Sequence, residues 1–131
     1  MTRTVSIARG VVRLCAVIQI VLGVLFWTDT ATGLVPLHML VGFVLVLALA
    51  TLVVAGARAG VDRRLVAIAA VWVVLVPVFG LSQDSLLVGS AHWVVEVLHL
   101  LVGLAAVGQA EALATRTAQQ RTGIRDEPRL S

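Results

Sequence analysis

The chain has no lysine, a single cysteine and few charges of any kind. Charged residues make up 13% of its 131 positions, whereas a water-soluble domain carries about a quarter. So few charges cannot cover a soluble surface. This excludes a soluble enzyme, a disordered chain and a nucleic-acid-binding domain. The one cysteine, Cys15, excludes an intramolecular disulfide and reads as a small apolar filler in a helix. Without lysine, the ten arginines carry all the fixed positive charge, so their placement decides what the net charge of +3 means.

What is present is apolar: 60% of the residues are hydrophobic. Four spans can be drawn, at 11–27, 34–57, 65–81 and 91–114. A membrane helix needs roughly 20 apolar residues, within a range of about 17–25, and each span meets it. The first is too long for a signal-sequence core, and Thr28-Asp29-Thr30 offers no small-x-small cleavage site. It is expected to remain as a membrane helix. The expected organisation is a transmembrane domain over 1–114 and a polar tail over 115–131. The tail is expected to fray after its first helical turns and to pack against nothing.

The arginines sort completely. Arg3, Arg9 and Arg13 stand at the entry to span one. Arg58, Arg63 and Arg64 lie between spans two and three, and Arg116, Arg121, Arg125 and Arg129 follow span four. Loops 28–33 and 82–90 hold only Asp29 and Asp84. Arginine stays on the cytoplasmic side during insertion. The expected fold is therefore all-α: a four-helix, up-down-up-down transmembrane bundle with both termini inside. A bacterial inner membrane suits the Arg-only, Ala- and Val-rich usage. The basic patches read as topology signals, with lipid binding as the minor alternative.

A short internal echo marks two helices. Span two reads Leu37-His38-Met39-Leu40-Val41-Gly42, and span four reads Leu98-His99-Leu100-Leu101-Val102-Gly103. Both are L-H-x-L-V-G, and the shared residues include histidine, of which the chain has three. In an up-down bundle spans two and four run in the same direction and face each other diagonally. Their histidines then approach from opposite walls, which suits bis-histidine ligation of a haem iron by neutral imidazoles. Gly42 and Gly103, one turn on, would leave bare space for the macrocycle, continued by Ala106 and Ala110. The competing reading is a histidine pair hydrogen-bonded between helices that glycines let pack closely. Counted from the span ends, the two histidines differ in depth by roughly 6 Å at 1.5 Å per residue.

His92, Glu96 and His99 form a second constellation at i, i+4 and i+7. Three readings stand side by side: a small metal site, a carboxylate serving a haem held by His99, and an interfacial His92–Glu96 pair. Trp27 and Trp93 read as interfacial anchors. Gln19 reads as a hydrogen-bonding or cavity-lining group in span one. Pro36 suits a first helical turn. Pro77 is expected to kink span three, and Trp72 and Phe79 to pack on a pigment or on lipid.

Over roughly 11–114 the chain resembles one four-helix half of the haem A synthases. The resemblance rests on His38, His99, their spacing, and Glu96-Val97-Leu98-His99. It implies that His38 and His99 are the axial ligands of one haem b per chain, near the outer face, and that Glu96 is a functional carboxylate. The family's glutamate lies on the second helix of a half, whereas here it precedes the fourth-helix histidine. Met39 and Leu100 replace the arginine that often follows a ligand histidine, and no cysteine pair occupies the outer loops. With one histidine pair, a single chain cannot hold both a substrate haem and a cofactor haem. The expected function is therefore a b-type, cytochrome-like protein for electron transfer or haem handling, with synthase-type oxidoreductase activity left open. Its expected partners are membrane lipid and either a second copy or a redox protein. Two other classes compete. One is a small proton-coupled transporter centred on Glu96, although span one has only Gln19 where such exporters use a carboxylate. The other is an accessory membrane subunit without chemistry.

Overall fold

The computed structural model describes residues 3–126, with side chains through Gly123. The described residues contain four long helices and no strand: α1 Arg3–Trp27, α2 Val35–Arg58, α3 Arg63–Ser82 and α4 His92–Asp126. Short 3-10 turns at Thr32–Leu34 and Gln83–Ser85 precede α2 and follow α3. All four helices are long and apolar enough to cross a membrane. In lipid no water is present to bond an exposed amide, so a helix, which pairs its own backbone groups, is the form these sequences take.

The helix ends follow from local chemistry. α1 stops where Asp29 takes a left-handed conformation at φ 54°. Its N–H bonds to the Phe26 carbonyl at 2.9 Å, and the Thr30 N–H bonds to the Leu25 carbonyl at 3.0 Å. That crossed pair is a Schellman closure, and aspartate is one of the few side chains that tolerates its backbone angle. α2 opens with Pro36 in its first turn, where no helical N–H is needed. It ends in a second Schellman closure: Gly60 sits at φ +75°, with Gly60 N–H to Ala57 O at 3.2 Å and Val61 N–H to Gly56 O at 3.0 Å. Asp62 then caps α3 by accepting from the N–H groups of Arg64 and Leu65, at 3.0 and 3.1 Å. α3 stays helical through Pro77 to Ser82.

α2 and α4 form the central pair. Each touches all the other helices, whereas α1 and α3 do not meet. α2 and α4 press together at Gly56 of α2, where an added Cβ would lie 3.1 Å from Leu113 and 3.4 Å from the Thr117 hydroxyl. Around it lies the core: Val5, Ala8 and Val12 of α1, Leu49 and Leu52 of α2, Ala69 of α3, and Ala106, Ala110, Leu113 and Ala114 of α4. Val61 and Trp72 pack onto the same cluster. Toward the opposite end only Leu22 and Val95 are buried. One end is therefore tightly filled and the other is loosely packed.

This arrangement corrects the expectation that the segment after residue 114 packs against nothing. α4 continues to Asp126, and Thr117 is 1% exposed, so the first turns of the supposed tail pack against α2. The reason is Gly56, which leaves a recess that the next turn of α4 fills. Residues 127–131 lie outside the described residues.

Gly56→Leu should overpack this crossing and cost about 1–3 kcal/mol. It should be read as a lower thermal midpoint in detergent. Gly10→Ala, where an added Cβ meets nothing within 4 Å, should leave the midpoint unchanged or slightly raised.

Candidate histidine centre

His38 enters from the first turn of α2 and His99 from the second turn of α4. Their ring centroids are 6.1 Å apart, with planes tilted by 45°. The offset in depth counted from the sequence is taken up at the start of α2. The 3-10 turn at Thr32–Leu34 extends that helix outward, so the continuous span begins at Thr32. His38 then lies about as far from its helix start as His99 does from His92.

Both rings are half-buried, and each has a buried Nδ1 with no hydrogen-bond partner. No hydrogen bond joins the two rings among the described residues. An unpaired buried ring nitrogen is costly, and such groups call for an explanation. Aromatic side chains flank the pair. Phe26 of α1 meets His38 edge-on at 5.3 Å, and Phe79 of α3 stacks on His99 at 6.0 Å. Phe79 therefore faces a histidine rather than lipid, whereas Trp72 belongs to the core. Gly80 lies against His99, where an added Cβ would be 3.3 Å from the imidazole Cε1. Neither Phe26 nor Gly80 carried a sequence signal for this role. Each simply lies on a helix end level with the histidines.

The two echoed glycines have different surroundings. Beside Gly103 an added Cβ would meet nothing within 4 Å. At Gly42 it would come 2.7 Å from Nε2 of Gln19. The space at Gly42, expected for a macrocycle, is taken by the Gln19 amide. Gln19 in turn has a buried Oε1 without a partner. The Gln19 side chain thus leans into α2 one turn from His38 and brings a third unsatisfied polar group to that part of the bundle.

The second constellation does not assemble. His92 Nδ1 lies 3.2 Å from the Leu86 carbonyl, which ties the loop after α3 to the start of α4. It makes no pair with Glu96. Glu96 is exposed and takes part in no hydrogen bond or ion pair among the described residues. No group of three or more His, Cys, Asp or Glu is placed to hold a metal among the described residues. A single helix sends i, i+4 and i+7 to one face, but no neighbouring helix supplies the remaining ligands.

The carboxylate that does find partners is Glu111. Arg9 donates from Nε and Nη2 to Glu111 Oε2 at 2.8 and 2.6 Å. Arg13 donates to Oε1 and Oε2 at 2.7 and 2.8 Å. Glu111 lies twelve residues beyond His99, about 18 Å along the helix at 1.5 Å per residue. This cluster ties α1 to α4 at the tightly packed end. The sequence signal was available: arginines early in α1 and a glutamate late in α4 face each other if the two helices run in opposite directions.

Comparison with family models, curated proteins and solved structures returned no match.

Glu111→Gln should break a doubly bridged, charge-assisted contact and cost about 1–3 kcal/mol. Glu96→Gln should change stability by less than about 0.5 kcal/mol. Thermal unfolding of both variants in the same detergent separates the two roles.

Proposed function

We propose that the chain is a bacterial inner-membrane, b-type cytochrome-like protein that holds one haem between His38 and His99. The observation that carries this reading is the 6.1 Å separation of the two rings. Two metal–imidazole bonds of roughly 2.0–2.1 Å on opposite sides of one ion set the ring centres roughly 6 Å apart. The donor set points the same way. Two imidazoles alone fall short of the four ligands that a bare zinc ion takes. They are sufficient for an iron whose equatorial positions belong to a porphyrin.

The rest of the site is compatible with that group. A plane drawn between α2 and α4 has α1 at one edge and α3 at the other, and those two helices do not meet. The loose packing at this end and the clear space beside Gly103 favour a flat guest. Gly42 does not contribute, because Gln19 lies against it. Bound haem supplies one-electron ferric–ferrous chemistry. His38 and His99 would hold the group, and with two imidazoles bound it would serve electron transfer or haem handling rather than oxygen chemistry. Phe26 and Phe79 restrict the rotation of the imidazoles and keep water from their edges.

Orientation follows from the sorted arginines: both termini cytoplasmic and the histidine pair near the outer face. Arg9 and Arg13 against Glu111 at one end, and Phe26 and Phe79 against the histidines at the other, support the up-down-up-down course. The partners are membrane lipid and a redox protein or second copy. No observation favours proton-coupled transport, since Glu96 is exposed and unpaired among the described residues.

The test is an absorbance spectrum of the purified chain after expression with adequate haem supply. A Soret band with a dithionite-reduced α band of the bis-imidazole type is expected. Either His38→Ala or His99→Ala should abolish the six-coordinate spectrum, and Glu96→Gln should retain it. A colourless, folded protein that fails to take up added haem would remove the reading.

A further inference from the structure

A groove of about 620 Å³ runs along α2 at the end remote from the histidines. Leu47, Ala50, Thr51, Val54, Ala55 and Arg58 line it from α2, joined by Thr4 of α1 and Arg121 of α4. The α2 positions repeat at i, i+3, i+4, i+7, i+8 and i+11, which makes one face of the helix. From Leu47 to Arg58 that face is about 16 Å long at 1.5 Å per residue. Its membrane-ward length is apolar and its mouth holds two guanidinium groups.

Among the described residues those guanidinium groups have no carboxylate partner. At this end of the bundle, through residue 123, eight arginines face two carboxylates, Asp62 and Glu111. Glu111 is taken by Arg9 and Arg13. Asp62 caps α3. The stretch 124–131 adds two residues of each sign. Arg121 Nε is buried with no hydrogen-bond partner. An arginine donor held away from water and left unbonded is costly unless an anion reaches it. Guanidinium matches phosphate oxygens in a fork-like geometry.

The geometry points to an anionic phospholipid seated in this groove, its phosphate between Arg58 and Arg121 and one acyl chain along Leu47, Ala50 and Val54. Basic recesses between membrane helices on the cytoplasmic side take such headgroups. The inference rests on the membrane reading above and is independent of the haem.

The full-length protein in dodecylmaltoside is titrated with phosphatidylglycerol, phosphatidylcholine or inorganic phosphate, and the thermal midpoint is followed. Phosphatidylglycerol should raise the midpoint saturably, and the other two should not. R58Q/R121Q should weaken the apparent affinity by roughly tenfold or more, with R63Q/R64Q close to wild type. A50F, which fills the groove and leaves both arginines in place, should also lose the shift. Native mass spectrometry of the wild type should show one retained phosphatidylglycerol, absent from R58Q/R121Q, and so gives an answer even if A50F does not fold. The proposal is overturned by an equal shift with phosphatidylcholine, or by a shift with phosphate alone, which would mark a free-anion site. It is also overturned by an equal loss in R63Q/R64Q, or by a lipid-free dimer that A50F disrupts. Release of the chain from membranes by alkaline carbonate would overturn the membrane reading together with it. Retention in the membrane without lipid preference overturns this proposal alone.

Discussion

Where α2 crosses α4, Gly56 presents bare backbone, and Leu113 and Thr117 press against it. The buried core lies around that crossing. The crossing brings the core residues of all four helices into one cluster, draws the start of the polar segment into the bundle, and aligns the two central helices. Because those helices are clamped at one end, the histidines at the other meet at a defined separation. Close approach matters more here than in water. Lipid tails are as apolar as leucine, so helices in a bilayer associate through packing rather than through burial of greasy surface.

The four helices are legible in the sequence, because a long apolar segment satisfies its backbone groups most readily as a helix. The four apolar spans correspond to four helices, and the Schellman closures at Asp29 and Gly60 and the Asp62 cap explain their ends. Less legible was how far α4 extends. Composition changes after Ala114, but helix formation does not follow composition alone. Gly56 gives Thr117 a place to pack, and the helix continues. Polar composition says which side chains prefer water; it does not say where a neighbouring helix has left a recess.

The candidate site was legible in part for a similar reason. Histidine is scarce in this chain, so two occurrences in matching sextets stood out, and the fold brings them together. Glu96 was singled out as the carboxylate deep in a span, but depth says nothing about which way a helix face turns, and it is exposed. Gly42 was singled out by its spacing from His38, but what fills the space beside it depends on Gln19 of another helix. The Arg9–Glu111–Arg13 cluster is hidden in the sequence because it links the first helix to the last. Pairings at that sequence separation emerge only once topology fixes depth against depth.

The turn between α2 and α3 contains only Ala59, Gly60, Val61 and Asp62, all committed to ending one helix or starting the next. It has no slack. Tight packing, the three-way ion contact and this short turn all lie at the same end, while the longer connections lie beside the histidines. With no slack in that turn, the spacing of α2 and α3 is set at the packed end, and the end that carries the histidines is held by fewer buried side chains.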